Sequence, residues 1–288
     1  MNTTSWIAFR DLLERSSPDK KNAFLQSLSR EDQEKLRGIK PSEHDPFTTS
    51  LTTAERIVNV HWSWLISFLE PFAENDKLMI LSALSEEQAS KLRKHFKIQE
   101  SLPPLAPHGK NYLLSAIYHW LISDQKGFVP LEFLPKHPLN PLLTLSKGEL
   151  QTLVNYLGLH DLAIEIKHVV KAEQIKKIQK VLSKSQQDYL KKLLKEKEPA
   201  SFSRLNLDGW DGKEETLKGI LHHRGFNRLA KSLFGCHPSL LWHICHTLDT
   251  GRTKILRKFF TDINNEQVQE LLVKQVLELI PRVQKANE

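Results

Sequence analysis

Both cysteines of the chain lie in one short stretch that also carries three histidines. The stretch reads FGCHPSLLWHICHTLD over residues 234–249. Its sulfur and imidazole side chains belong to Cys236, His237, His243, Cys245 and His246. Cysteine thiolates and neutral imidazoles are common zinc ligands, and a cysteine activated by a histidine is a familiar nucleophile. The stretch therefore raises two chemical hypotheses, a metal site and a Cys/His active site, beside a third in which a helix binds another protein.

The helical period opposes a metal site. A helix that begins near Pro238 has one apolar stripe, which consists of Leu240, Leu241, Ile244, Cys245 and Leu248. Cys245 then faces the core, whereas His243 and His246 lie away from it. Cys236 and His237 lie on the order of two helical turns or more from His246, at least about 10 Å along the axis, whereas zinc ligands converge within about 2.3 Å of one ion. We therefore predict no metal and no cofactor.

A Cys/His active site has little further support. Cys236 would lie near a helix N-terminus, which lowers the pKa of a thiol, and His237 follows it directly. Adjacent side chains rarely point at each other, however, and the sequence offers no glycine-rich elbow to support a nucleophile. We predict no catalytic residue and a protein that is not an enzyme. Metal bound to the purified protein would support the metal site, and an unusually fast reaction of Cys236 with a thiol reagent would support the Cys/His active site.

Length and composition are typical of a globular protein with one large or several small domains. The chain has 288 residues, of which 40% are hydrophobic and 26% charged. Its N-terminus lacks the basic start and apolar run of a signal peptide, and its longest nearly apolar stretch is about half a membrane span. Two cysteines suit a reducing compartment. We predict a cytoplasmic protein.

Apolar residues recur at three- and four-residue spacing along almost the whole chain, which predicts an all-α fold. Breaks rich in proline or turn-forming residues lie at 99–109 and 198–212. They divide the chain into an N-terminal domain at 1–98, a middle domain at 110–198 and a C-terminal domain at 213–288. A shorter turn is predicted at 40–46, and Gly225 is expected to end a helix.

A helix-turn-helix pattern occurs three times. Each copy has an apolar helix that ends in Leu-Ser and a second helix behind it; the copies are FLQSLSREDQEKL, ILSALSEEQASKL and IQKVLSKSQQDYL. Ser29, Ser85 and Ser183 are the predicted N-caps, with an acid or a glutamine at the third following position as in a capping box. One such pair cannot bury its apolar stripe alone, so we predict stacked helix-turn-helix repeats.

A longer internal similarity joins two segments. Residues 60–84 align without a gap with residues 236–260, so that His61 falls on His237. The shared pattern is partly that of any amphipathic helix. We interpret the two segments as copies of one ancestral unit.

The outer face of the second segment is the candidate binding surface. Trp242 lies opposite the apolar stripe beside His243 and His246, and its counterpart Ile66 lies near Trp62 in the first segment. An outward tryptophan is a typical anchor for a protein partner. The alternative is that another helical layer covers Trp242, and the sequence does not decide between the two.

These residues resemble the helical repeat of the flagellar motor switch protein FliG family, whose middle domain carries a Glu-His-Pro-Gln motif at the head of such a helix. His237 and Pro238 match that motif, whereas Cys236 replaces its acid and Ser239 its amide. The likeness continues through NNEQVQELL and recurs around His61, and the two regions together cover roughly a quarter of the chain.

The resemblance implies stacked armadillo-like helices and a non-catalytic scaffold at the cytoplasmic face of a membrane-embedded ring. An ordered charged ridge for torque is not recognisable, so a cytoplasmic adaptor of a type III secretion sorting platform fits better than a motor component. The implied partners are proteins of such a ring or platform, with peripheral association with the inner membrane and self-association. The residues assigned to partner binding are His61, Trp62, Ile66, His237, Pro238, Trp242, His243 and His246.

A lysine-rich segment gives a second candidate surface. Residues 165–198 hold ten lysines and five acidic residues, which accounts for most of the net charge of +7. Such a face is in most proteins only solvated, and otherwise contacts anionic lipid, nucleic acid or an acidic protein. The absence of arginine and the single aromatic residue, Tyr189, disfavour nucleic acid. The candidate contacts are Lys176, Lys177, Lys180, Lys184, Lys191 and Lys192.

Overall fold

The computed structural model describes residues 3–39, 51–167, 172–196, 205, 207 and 210–285. Over these residues the chain forms helices and turns and no strand, so the all-α prediction is confirmed. The predicted turn at 40–46 and most of the break at 198–212 lie outside the described residues. The α-helices are α1 Thr3–Arg15, α2 Pro18–Ser27, α3 Arg30–Gly38, α4 Thr53–Val58, α5 Ile66–Leu69, α6 Glu74–Ala83, α7 Glu86–Phe96, α8 Pro107–Ile122, α9 Lys147–Ile166, α10 Ala172–Val181, α11 Lys184–Lys195, α12 Glu214–Ser232, α13 Pro238–Thr247, α14 Thr250–Phe259 and α15 Glu266–Lys285. Short 3-10 helices are η1 Trp62–Trp64, η2 Leu131–Phe133 and η3 Asn140–Thr144.

The three Leu-Ser turns join the helix pairs α2–α3, α6–α7 and α10–α11. Ser29 Oγ accepts a hydrogen bond from the Asp32 N–H at 3.1 Å. Ser85 and Ser183 form complete capping boxes, in which the glutamine three residues later accepts from the serine N–H. Each serine thus satisfies a backbone N–H that the first helical turn leaves without a partner. The predicted N-caps are confirmed.

The chain folds into two compact units that are built from interleaved segments. Unit 1 comprises Met1–His137 and Cys236–Thr250, and unit 2 comprises Pro138–Gly235 and Gly251–Glu288. Helix α13 therefore belongs to unit 1, although its neighbours along the chain, α12 and α14, belong to unit 2 apart from the first residue of α14. The three consecutive domains expected from the sequence do not coincide with these units. Whether each of the three predicted domains folds independently stays a prediction.

The core of unit 1 forms where α8 packs against α4 and α6, and where η1 packs against α5 and α7. Its members include fully buried leucines of α5, α6 and α7 and Leu65, which directly follows η1, together with Trp242 of α13. A buried amide ties the turn before η1 to this core, because Gln88 Nε2 donates to the carbonyl oxygens of Ile57 and Val60 at 2.9 and 2.7 Å. Burial makes these hydrogen bonds costly to lose.

The core of unit 2 forms around α9, which packs against α11, α12 and α15. The crossing of α9 and α12 is close enough that a Cβ atom at Gly225 would lie 1.8 Å from Val154 O, and one at Gly158 would lie 2.1 Å from Leu221 O. Gly225 therefore serves close packing of two backbones inside α12. The prediction that it ends a helix is wrong, because α12 continues to Ser232.

A fully buried arginine links three helices of unit 2. Arg228 of α12 donates from Nε and Nη2 to Asp161 Oδ1 at 3.1 and 2.6 Å, and from Nη1 to Gln275 Oε1 at 2.8 Å. Asp161 lies on α9 and Gln275 on α15. A buried charge that lost these partners would be strongly destabilising, so the network fixes how the three helices meet.

Candidate functional site

His61 and His237 begin their helices in the same way. His61 is the N-cap of η1 and accepts from the Ser63 N–H through Nδ1 at 3.2 Å. His237 is the N-cap of α13 and accepts from the Ser239 N–H through Nδ1, also at 3.2 Å. Each ring must carry a deprotonated Nδ1 to accept this bond. The first role of both histidines is therefore to stabilise a helix start.

The local structure supports the internal duplication. The gapless alignment of residues 60–84 with 236–260 places the two histidine caps opposite each other and makes the bounds of α6 coincide with those of α14. The copies differ between these points, because the first breaks into η1 and α5 where the second continues as α13. The second segment thus has one continuous helix where the first has a 3-10 helix followed by a short α-helix.

The C-terminal end of α13 is anchored along η1 by three hydrogen bonds within unit 1. The His61 N–H donates to His246 O at 2.7 Å. Trp64 Nε1 donates to Leu248 O at 2.9 Å, and the Thr250 N–H donates to Ser63 Oγ at 3.1 Å. The segment that carries the second histidine cap is therefore joined to the segment that carries the first.

The other side of α13 contacts the chain just before η2. Ser239 Oγ accepts from the Val129 N–H at 2.9 Å, and His243 Nε2 donates to Val129 O at 3.4 Å. Phe128 packs edge-on against Trp242, with ring centroids 4.8 Å apart. Helix α13 thus lies between η1 and the 128–134 segment, which cover it on two sides.

Trp242 and His246 are therefore interior residues, with 4% and 5% of their surface exposed. The His246 ring stacks between Trp242 and Trp64, at centroid distances of 3.8 and 4.1 Å. The interpretation of Trp242 and His246 as outward-facing residues is wrong. The apolar stripe marks one covered side of α13, but the helical period does not reveal that η1 and Phe128 cover another.

The other residues assigned to partner binding differ in exposure. His61 is buried, whereas Trp62, Ile66, His237 and His243 are partly exposed and Pro238 is exposed. Trp62 also contacts His61 and His95 through its ring. The contact with a partner remains a prediction for the exposed members of the set.

Both cysteines are buried, and neither forms a disulfide. Burial raises the pKa of the Cys236 thiol to about 11, so the thiol is protonated at neutral pH and its Sγ donates weakly to His237 O at 3.6 Å. A protonated thiol is a poor nucleophile and a poor metal ligand. In the part of the chain that the structure describes, no three His, Cys, Asp or Glu side chains are grouped as they would be around a metal ion.

A buried polar cluster lies near α13 in unit 1. Arg56 forms an ion pair with the buried carboxylate of Glu132, and its guanidinium lies 5.5 Å from the Tyr118 ring centroid. Burial raises the pKa of Tyr118 to about 12. Burial also lowers the pKa of His243 to about 4. Both side chains are neutral at pH 7, and the lowered pKa keeps the His243 ring uncharged into mildly acidic solution.

An aromatic face on α8 was missed by the sequence reasoning. Tyr112 is 74% exposed and Trp120 is 40% exposed. The Trp120 ring lies 5.3 Å from that of Phe68, which lies 5.4 Å from that of Phe72. We call these four residues the aromatic face. The helical period could have found its α8 members, since Leu114, Ile117, Tyr118 and Leu121 define an interior stripe that leaves Tyr112 and Trp120 outside.

An apolar groove of about 290 Å³ lies in the same unit, between α4, the α6–α7 turn and α8. Its apolar lining consists of Ala54, Ile57, Val58, Ala83, Leu84 and Leu114. Val58 is 52% exposed, and Lys110 of α8 lies at the edge. Unit 1 therefore has two apolar surfaces, the aromatic face and this groove next to α8.

The six lysines predicted to contact an anionic partner are all exposed on α10 and α11 in unit 2. The apolar residues of the same helices turn inward: Ile178, Leu182, Tyr189, Leu190 and Leu193 are buried. The structure thus places these lysines at the surface, and their contact with a partner remains a prediction.

No protein-family model, no curated protein and no solved structure matches this chain. The resemblance to the FliG family accordingly remains an expectation. No helix in the described part of the chain is long and apolar enough to cross a membrane.

Proposed function

We propose that this protein is a non-enzymatic adaptor that presents a rigid helical surface to protein partners. The observation that carries the proposal is the aromatic face. Tyrosine and tryptophan are enriched among the residues that dominate the binding energy of protein interfaces. With Tyr112 at 74% exposure and Trp120 resting on Phe68, the face combines available area with a fixed orientation.

The scaffold that we propose is a stack of armadillo-like repeats. Its support is the threefold helix-turn-helix pattern with serine N-caps and the duplicated histidine cap. Repeats of this kind bury their apolar stripes against neighbours and so give extended, preformed surfaces. A preformed surface loses little conformational entropy on binding, which favours an adaptor role.

The proposed partner is a protein of a type III secretion or flagellar-type apparatus at the inner face of the membrane. This part of the proposal rests on the resemblance of the 236–260 segment to the FliG repeat. In this chain the tryptophan of that segment is interior, so we assign the contact to the aromatic face, with Trp62, Ile66 and Pro238 as secondary contacts. Cytoplasmic localisation and self-association belong to the same proposal.

Catalysis is disfavoured by the chemistry of the cysteines. Cys236 is the better candidate nucleophile of the two, yet burial raises the pKa of its thiol to about 11. His237 accepts the Ser239 N–H through Nδ1, so that nitrogen is not available to take a thiol proton. His237 therefore uses Nδ1 to cap α13, which argues against an acid–base role for that nitrogen.

The test is an affinity capture from native extract with the full-length chain. A double variant, Tyr112→Ala/Trp120→Ala, removes the two most exposed members of the aromatic face, and Phe24→Ala serves as the control because Phe24 is 42% exposed on α2 in the same unit. Truncating an aromatic anchor at the centre of an interface costs about 2 kcal/mol or more, which is roughly a thirtyfold loss of affinity.

We expect a secretion or flagellar component to be recovered with the wild type and with Phe24→Ala, and to be lost with the double variant. Circular dichroism must first show the three proteins to be equally helical. Equal recovery by all three proteins would contradict the assignment of the aromatic face, and recovery of no such component would contradict the proposed partner.

A further inference from the structure

The exposed side of α10 and α11 is a continuous source of positive charge in unit 2. These two helices and their ends, residues 172–196, carry seven lysines and three acidic residues. At 100° per residue, the lysines of each helix span an arc of roughly 100° opposite the buried residues. We call them the lysine face; its members are Lys176, Lys177, Lys180, Lys184, Lys191, Lys192 and Lys195, and every one is exposed.

Few of these charges are compensated locally. Lys191 Nζ lies 3.1 Å from Asp188 Oδ1, and Lys192 Nζ lies 3.7 Å from Glu196 Oε1. Both pairs are solvent-exposed, and such pairs contribute little. Among the residues that the structure describes, the other five lysines make no ion pair. The positive potential of the face is therefore available to an external anion.

The buried side of α11, opposite the lysine face, is fixed by contacts with α9 and α15. Tyr189 is buried and its hydroxyl hydrogen-bonds with His160 Nε2 at 3.0 Å. Arg282 of α15 donates from Nη2 to Ser185 O at 3.2 Å, and its guanidinium lies 4.9 Å from the Tyr189 ring centroid. Arg282 thus connects α15 to α11. The outward positive charge of α10 and α11 comes from lysines alone.

The chemistry of the face selects one class of partner. Nucleic-acid surfaces pair basic residues with arginine forks and aromatic platforms on which bases stack. On α10 and α11 there is no arginine, and the one aromatic side chain points inward. Lysine ammonium groups are compact, hydrated point charges that suit a diffuse layer of phosphate headgroups, and their attraction to an anionic surface increases with each lysine.

We propose that the lysine face binds the surface of a membrane rich in anionic lipid headgroups. The exposed arc offers no apolar side chain for insertion, so attachment is peripheral, reversible and sensitive to salt. This inference does not depend on the aromatic face or its partner, since the two surfaces lie in different units. It identifies the part of the chain that would hold the adaptor at a membrane.

The experiment is co-sedimentation of the full chain with phospholipid vesicles. Vesicles that contain phosphatidylglycerol are compared with vesicles of phosphatidylcholine alone, at ionic strengths of about 0.1 M and about 0.5 M, between which electrostatic attraction is strongly screened. The test variant is Lys176→Glu/Lys180→Glu/Lys184→Glu. The control variant is Lys20→Glu/Lys91→Glu/Lys94→Glu, which changes the net charge equally at exposed lysines of unit 1.

We expect the wild type and the control variant to bind the anionic vesicles at low salt and to dissociate at high salt. The test variant should bind at least about a hundredfold more weakly. An equal loss in both variants would overturn the proposal, since net charge alone would then govern binding. It would also be overturned if the wild type ignored the anionic vesicles, or if a duplex or single-stranded oligonucleotide bound the face and the vesicles did not.

Discussion

Helices α8 and α13 each carry a tryptophan next to a histidine, yet the two tryptophans have opposite environments. Trp120 of α8 is 40% exposed and rests on Phe68 at the surface of unit 1. Trp242 of α13 is 4% exposed and lies in the core of the same unit, stacked on His246. A tryptophan on the polar side of an amphipathic helix is therefore not by itself a sign of a binding surface.

What separates the two helices is the covering of their second side. Helix α13 is joined to the η1 segment by a backbone hydrogen bond from His61 to His246, and to the 128–134 segment by Ser239 and His243. Helix α8 packs against α4 and α6 through one stripe, which leaves its opposite stripe in solvent. Helix α13 therefore has a structural role in unit 1, and we propose that α8 carries the recognition surface.

The largest expected effect is on stability at position 242. Trp242→Ala removes a buried aromatic side chain and should lower the free energy of unfolding by about 3–5 kcal/mol, because the cavity cannot collapse fully. Trp120→Ala should cost about 1 kcal/mol or less, as expected for a largely surface position. Denaturant unfolding of the two variants measures both values. Equal losses would mean that the contrast between the helices is not real.

Acidification should loosen α13 and leave the packing of α8 unchanged. Burial lowers the pKa of His243 from its ordinary 6.5 to about 4, and it lowers the pKa of His237 as well. The unfolded chain binds more protons between these values, so the stabilisation is complete above pH 6.5 and is lost as the pH falls towards 4. For His243 alone the loss is on the order of 3 kcal/mol.

Unfolding curves at pH 7 and pH 4.5 test this pH dependence. His243→Gln keeps a donor for Val129 O but does not titrate, so its stability should change less between the two values. If the variant loses as much stability on acidification as the wild type, the titration of His243 does not control the docking of α13.

The two histidine caps give a smaller and symmetrical effect. His61→Ala and His237→Ala each leave one N–H of the first helical turn unsatisfied, which costs about 1 kcal/mol. His237→Asn restores a cap acceptor and should recover most of that loss. Thermal unfolding measures the three variants. A cost confined to His237 would indicate that the cap of η1 has no structural value.

Tyr112→Ala should have the smallest effect on stability, within about 0.5 kcal/mol, because the side chain is 74% exposed. The same substitution should weaken capture of the partner by about tenfold or more if Tyr112 is an anchor. Stability and capture are thus separable at this position. A substitution that unfolds the chain would instead mark Tyr112 as a packing residue.

The features that local chemistry determines could be predicted from the sequence. The helical class and the caps at Ser29, Ser85 and Ser183 follow from spacing and from residues within one turn of each other. The prediction for Gly225 is wrong because a glycine is required there by the close backbone of another helix, at Val154 O. The residues adjacent to Gly225 in the sequence give no sign of this contact.

The candidate site was harder to predict for the same reason. Phe128 packs on Trp242 and Trp64 stacks on His246. Both lie more than a hundred residues away along the chain, and no periodicity within α13 encodes them. The exposed position of Trp120 on α8 could have been predicted from the sequence, since the apolar stripe of the helix does not include it. The polar pair Arg56–Glu132 shows the same dependence on distant residues.

Site-specific cross-linking tests the central claim most directly. A photo-reactive phenylalanine derivative replaces Trp120 in one protein and Phe24 in another, and each full-length protein is irradiated in native extract that contains the partner. The account predicts a covalent adduct with a secretion or flagellar component from position 120 and none from position 24. A partner that is still captured but forms no adduct at position 120, or forms the same adduct from position 24, would contradict the assignment of recognition to α8.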